Sequence, residues 1–148
     1  MINGFGHLYS VTEQNIAKIR EVKTTGFVDS NELAKVTNRA IQLCVLDLTL
    51  AAYRSKHETP VNKLPWVKAL HHKLLMKYNW PLSEIRAMSL SDVFIALHDE
   101  LSLESLEGQA KTYFSSLLAG AYPLTFDDFI DKEWDPNLSD RLLFDSKE

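Results

Sequence analysis

Apolar residues recur at helical spacing along most of this chain. The clearest run covers about residues 30–55, where apolar side chains follow steps of three and four. Asp29 and Glu32 stand at its start in the spacing of a capping box, so we expect a long helix to begin there. A second apolar face on this helix, which includes Leu46 and Leu50, predicts that other helices surround it.

Shorter helices are predicted on both sides of this central helix. Capping signals and apolar spacing place them at residues 10–22, 65–79, 82–88, 89–101, 103–118 and 125–134, with one short turn at 138–144. Strand-like alternation never extends beyond a few residues, and no internal repeat or low-complexity linker is present. We therefore expect an all-α fold, a bundle of six or seven helices around the central helix, in a single domain spanning residues 1–148.

The composition is that of an ordinary globular protein, with 45% hydrophobic and 24% charged residues. The only cysteine, Cys44, cannot form a disulfide within the chain, and a free thiol fits a reducing cytoplasm. The first residues form no basic leader, and the most apolar segment, 41–52, falls short of the roughly 20 residues that cross a bilayer. We expect a cytoplasmic protein without a membrane segment.

Charge is distributed unevenly along the chain. Residues 1–88 hold 12 Lys and Arg against 7 Asp and Glu, a net charge of +5, whereas residues 89–148 hold 4 against 13, a net charge of −9. Opposite patches of this kind can steer association with a protein partner, join copies of the chain, or dock on each other within one fold.

Common catalytic signatures are missing from the sequence. The five glycines form neither a dinucleotide-binding nor a phosphate-binding loop, and there is no nucleophile elbow, metalloprotease motif or cysteine pair. These observations favour a non-enzymatic protein without a cofactor, although they leave the question of an enzyme open.

One arrangement of residues points to metal chemistry instead. His72 is followed by the doublet His98 and Asp99, and aspartates come later in the chain. This order resembles that of the ligands in the all-helical HD-domain phosphohydrolases. The resemblance implies a divalent metal held by these three residues and a distant aspartate, which would activate water against a phosphate ester. The alternative is that His98 and Asp99 form the solvated end of an amphipathic helix.

Asp47 is the only charged residue between positions 41 and 52, on the helix that we expect to be covered. A buried carboxylate needs a partner or a shifted pKa, whether its role is structural or functional. Arg54, about two turns further on, or an arginine from another helix is the expected partner.

An aromatic and basic strip is predicted on the helix at residues 65–79. Trp66, Lys73 and Lys77 fall within about 40° of one another at 100° per residue, and Trp80 lies just beyond the helix. Proteins that bind single-stranded nucleic acid combine base stacking with phosphate attraction in this way. Alternatively, the tryptophans pack against a neighbouring helix and the lysine stems cover them.

The acidic end of the chain carries aromatic residues as well. Asp127, Asp128 and Asp131 alternate with side chains such as Phe126 and Trp134. Such a segment is either a solvated helix face or a protein-docking surface with aromatic anchors. Our leading hypothesis is a small helical protein that works by association with a protein partner or with itself, through this segment; nucleic-acid binding and metal-dependent phosphohydrolysis are the alternatives.

Overall fold

Helices make up most of residues 4–144, the part of the chain that the structure, a computed structural model, describes apart from the side chains of Trp66 and Phe144. The described α-helices are α1 (Phe5–Ile19), α2 (Ser30–His57), α3 (Trp66–Tyr78), α4 (Leu82–Arg86), α5 (Leu90–Ala96), α6 (Gly108–Ala119) and α7 (Pro136–Phe144). Two 3-10 helices, Leu103–Ser105 and Asp131–Glu133, complete the set, and these residues contain no β-strand. The predicted all-α bundle of six or seven helices around a long central helix is confirmed.

The central helix is α2, and it begins where its sequence predicts. The Asp29 carboxylate accepts the backbone N–H groups of Asn31 at 2.9 Å and Glu32 at 3.3 Å. Opposite faces of the helix are buried, because Val36 and Val45, which lie about 180° apart, are 0% and 4% exposed. Burial of one such aliphatic side chain stabilises the fold by about 1.5–3 kcal/mol. None of the helices in the described part of the chain has the length and apolarity that would let it cross a membrane.

The first helix starts earlier than expected, at Phe5 rather than at the predicted cap Ser10. Gly4 precedes it with a φ of 82°, and its carbonyl accepts the N–H of Leu8 at 2.9 Å. The added turn places Phe5 against Tyr113, with ring centres 5.4 Å apart. Aromatic packing on α6 therefore outweighs the local capping signal.

The helices after α2 follow the predicted breaks with shorter lengths. Pro65 and Pro81 directly precede α3 and α4. Helix α5 ends at Ala96, and the Tyr78 hydroxyl donates a hydrogen bond to the carbonyl of Ala96. This carbonyl is therefore satisfied without the further helical turn that we expected up to residue 101.

Two segments that were each predicted to be one continuous helix are not so in the structure. The segment 103–118 is divided into a 3-10 helix and α6, with Gly108 at a φ of 62° at the junction. The segment 125–134 is mostly irregular and contains one 3-10 helix. Carbonyls there accept hydrogen bonds from arginines of other helices, as Asp128 does from Arg20 at 2.8 Å. Tertiary partners thus replace the hydrogen bonds that a helix would supply.

Candidate functional site

The acidic segment 126–134 lies against the basic first two helices. Glu133 is buried, with Oε1 2.7 Å from Nη1 of Arg39 and Oε2 2.8 Å from Nε of Arg20. Arg20 also binds Asp128 at 2.8 Å, and this hydrogen bond lowers the pKa of Asp128. At this point the basic and acidic portions of the sequence face each other within one molecule.

Aromatic rings of the same segment pack under the arginines. The guanidinium carbon of Arg20 lies 4.2 Å from the centre of the Phe126 ring, and that of Arg39 lies 3.9 Å from the centre of the Phe129 ring. Phe129 in turn stacks on Phe94 of α5 at 4.6 Å. Because cations are attracted to ring faces at these distances, the rings hold the segment on the protein.

The four residues of the predicted docking segment have different surroundings. Asp128 binds Arg20, Asp131 accepts the N–H of Leu90 at 2.9 Å, and Trp134 is half-buried. Asp127 is exposed and forms no ion pair with another described residue. The structure therefore engages three of these side chains within the protein and leaves Asp127 at the surface.

Asp47 is buried on the side of α2 that faces the C-terminal residues. One of its oxygens accepts Nε1–H of Trp134 at 2.7 Å and the hydroxyl of Ser139 at 3.0 Å. Burial in the interior raises the pKa of Asp47 to about 7. Both of these donors are neutral, and both belong to the segment that begins at the second 3-10 helix and continues into α7.

The arginine that we expected beside Asp47 has carboxylate partners elsewhere. Arg54 binds Glu58, four residues further along the chain, at 2.8 Å and Asp140 of α7 at 2.6 Å. The prediction of an Arg54–Asp47 ion pair is therefore wrong. A carboxylate one helical turn away is easier for Arg54 to reach than one two turns away.

The predicted basic strip on α3 is partly neutralised. Lys73 pairs with Glu100, and Lys77 pairs with Glu100 at 2.7 Å and with Asp99 at 2.7 Å. Trp80 is 39% exposed and stacks on Tyr78 at 4.3 Å, while the side chain of Trp66 lies outside the described part of the structure. The ammonium groups that would contact phosphates thus already have carboxylate partners.

The three residues of the predicted metal set do not form a metal site. Nδ1 of His72 lies 2.6 Å from the Tyr53 hydroxyl, and Asp99 binds Lys77. His98 is exposed and lines a different part of the surface. Among the described residues, no group of three or more His, Cys, Asp or Glu side chains could hold a metal ion. The ligand set implied by the HD-domain resemblance is therefore not assembled.

One groove lies between the C-terminal half of α2 and the start of α6. It has a volume of about 940 Å³, and Leu48, Tyr53 and Lys73 are among its lining residues. The Tyr53 ring stacks on His57 at 4.1 Å, and its hydroxyl contacts His72. Two carboxylates of this groove also have partners, because Glu100 binds Lys73 and Asp99 binds Lys77.

A second groove, which we call the α2–α5 groove, runs between these two helices and has a volume of about 650 Å³. Its apolar lining includes Ile41, Val45, Phe94, Ile95, Leu101 and Leu118. Ile95 is 72% exposed and Leu118 is 44% exposed. None of the described residues lining it is Asp, Glu, Lys or Arg. A bound segment would remove Ile95 and Leu118 from contact with water.

The rim of the α2–α5 groove is acidic. Along the chain from α5 to Phe129, the charged residues within two positions of a lining residue are all acidic: Asp92, Asp99, Glu100, Glu104, Asp127, Asp128 and Asp131. Asp99, Glu100, Glu104 and Asp128 form ion pairs with lysine or arginine. Asp92 and Asp127 are exposed and form no ion pair with described residues, although the charge of Asp127 attracts that of Lys35. On α2 the adjacent Arg39 is buried against Glu133. The groove therefore combines an apolar floor with negative charge at its edge.

A polar residue of α2 holds one wall of this groove. Nδ2 of Asn38 donates hydrogen bonds to the carbonyls of Tyr122 at 2.7 Å and Leu124 at 2.6 Å. Pro123, which lies between them, lines the groove. Two short hydrogen bonds from a buried side chain thus fix this wall before anything binds, as in most ligand sites.

Sequence reasoning did not find the α2–α5 groove. Ile41 and Val45 lie on the helix that was predicted to be covered and are 4% exposed, whereas periodicity cannot tell that Ile95 of another helix is exposed beside them. One signal was present: Ile95 lies about 140° from Leu90 on α5, away from the stripe that faces the core.

Comparison of this chain with models of protein families, with curated proteins and with solved structures gave no match.

Proposed function

We propose that the protein is a non-enzymatic association module whose α2–α5 groove binds a segment of a protein partner. The observation that carries this proposal is the groove itself, an apolar channel of about 650 Å³ in which Ile95 is 72% exposed. Binding sites are usually concave surfaces lined mostly by apolar side chains, with a few polar groups among them. An apolar centre with a charged rim is also the usual layout of a protein interface.

The acidic segment that we predicted as a docking surface contributes to this groove. Thr125 and Phe129 line it, and Asp127 lies between them in the chain. Phe126 and Trp134 already have partners within the protein. We therefore assign the contact surface to the groove beside the segment rather than to the segment as a whole.

We also propose that the protein acts in the cytoplasm. Its single cysteine, Cys44, is a free and fully buried thiol. This arrangement is compatible with a reducing compartment.

Selection from a displayed peptide library against the full chain tests the proposed function. Recovered peptides should lose at least tenfold in affinity for Ile95→Ser, because burying an isoleucine is worth about 2 kcal/mol, or roughly 30-fold. Val61→Ser is the matched control, since Val61 is 96% exposed and lies outside the groove. Recovery of no peptide, or equal affinity of the peptides for both variants, would contradict the proposal.

A further inference from the structure

We infer that the partner segment in the α2–α5 groove is a basic amphipathic helix, an inference that rests on the proposed function of this groove. It follows from the shape of the groove, the hydrogen-bonding needs of a bound backbone, and the charge of the rim.

The described residues offer no sheet to which an extended peptide could add a strand. Their single isolated bridge, between Thr59 and Asn62, lies in the turn after α2. An extended peptide would bring unpaired N–H and C=O groups against Phe94, Ile95 and Leu118, whose side chains cannot pair with them. A helix satisfies its own backbone hydrogen bonds and presents only side chains to such a floor.

The length of the groove sets the length of the helix. Along α2 the lining residues run from Asn38 to Val45, a distance of about 10 Å at the helical rise of 1.5 Å per residue. This distance matches two helical turns, so apolar side chains at i, i+3, i+4 and i+7 would face the floor. A partner helix of about 8–12 residues covers the groove.

The charge of the partner follows from the rim. Asp92 lies three residues before Ile95 on α5, and Asp127 follows the lining residue Thr125 by two positions. Both carboxylates are exposed and form no ion pair with described residues, whereas nearby Asp99 is bound to Lys77. Lysine or arginine beside the apolar stripe of the partner would therefore meet exposed negative charge at Asp92 and Asp127.

Two synthetic peptides of about 12 residues test this inference, with leucines at the same i, i+3, i+4 and i+7 positions. The remaining positions are lysine in one peptide and glutamate in the other. We expect the leucine–lysine peptide to bind the full chain and to gain helicity by circular dichroism, and the leucine–glutamate peptide to bind at least tenfold more weakly. The difference should shrink to about threefold or less in 1 M salt, where screening is strong.

Variants separate groove binding from general attraction to an acidic protein. Asp92→Asn with Asp127→Asn should remove most of the preference for lysine, whereas Glu84→Gln, an exposed carboxylate on α4, should leave it unchanged. Ile95→Ser should weaken the leucine–lysine peptide at least tenfold. If it does not, the peptide binds the acidic surface rather than the groove, and the inference fails.

Other outcomes also overturn the inference. These are equal or tighter binding of the leucine–glutamate peptide, and binding of the leucine–lysine peptide without a gain of helix. If library peptides bind in an Ile95-dependent way but are extended or uncharged, this inference alone fails. If no peptide depends on Ile95, the proposed function fails with it.

Discussion

Replacement of Asp47 by asparagine should change the stability of the protein in opposite directions at low and high pH. Asp47 is buried, and its two hydrogen-bond donors, Trp134 and Ser139, are neutral. The carboxylate has an ordinary pKa of 3.8 in the unfolded chain, and burial raises it to about 7 in the folded protein. The folded state therefore holds this proton more tightly than the unfolded state does, so stability is lost as pH rises between these two values.

The size of this effect follows from the difference between the two pKa values. A shift from 3.8 to about 7 corresponds to about 4 kcal/mol of unfolding free energy, which is lost by pH 8. The asparagine side chain keeps an oxygen for Trp134 and Ser139 but adds buried N–H donors without partners, at a cost of about 1–3 kcal/mol. Asp47→Asn should therefore be less stable than the original chain by about 1–3 kcal/mol at pH 4, and more stable by a similar amount at pH 8.

Urea unfolding followed by circular dichroism at pH 4, 6 and 8 measures this difference directly. Asp127→Asn is the control for loss of one negative charge, because its side chain is exposed. The reasoning is refuted if the stability difference between Asp47→Asn and the original chain is the same at all three pH values, or if it changes in the opposite direction.

Two further predictions concern contacts at the C-terminal end of the chain. Glu133→Gln should lower the unfolding free energy by about 3–5 kcal/mol in chemical denaturation, because it leaves the buried Arg39 without its carboxylate. Glu104→Gln, whose side chain is 87% exposed, should change it far less. Gly4→Ala should lower the melting temperature more than Gly26→Ala does. Both glycines have positive φ, but a Cβ at Gly4 would lie 2.2 Å from the carbonyl oxygen of Leu142, whereas nothing lies within 4 Å at Gly26. Equal effects within either pair would contradict these assignments.

The all-α class and the central helix could be predicted because both depend on local patterns. The Asp29 cap and the two-faced apolar spacing of α2 are encoded by the 28 residues of the helix and the one before them. The segment 125–134 could not be predicted in the same way. Its local pattern favours a helix, but Arg20 and Arg39, about 90 to 110 positions away in the sequence, bind its carbonyls and carboxylates instead. Single-sequence reasoning has no access to such distant partners.

For the candidate site, the sequence predicted the chemical character of the residues but not the groove that they form. The acidic and apolar character of the region after residue 89 is visible in the sequence, and the burial of Asp47 follows from its neighbours. The groove is a space between helices, and no residue type in the sequence indicates where such a space will form. Ile41 and Ile95 are equally apolar in the sequence, yet Ile41 is 4% exposed and Ile95 is 72% exposed. Packing decides which of them a partner could reach.

The polar groups that α2 buries have a consequence for synthesis of the chain. Asn38, Arg39 and Asp47 all find hydrogen-bond partners between residues 122 and 139, at sequence separations of 84 to 94 residues. While the ribosome is still making that part, α2 has no way to bury these groups with their partners. The core around α2 can therefore close only after residues 122–139 have been synthesised.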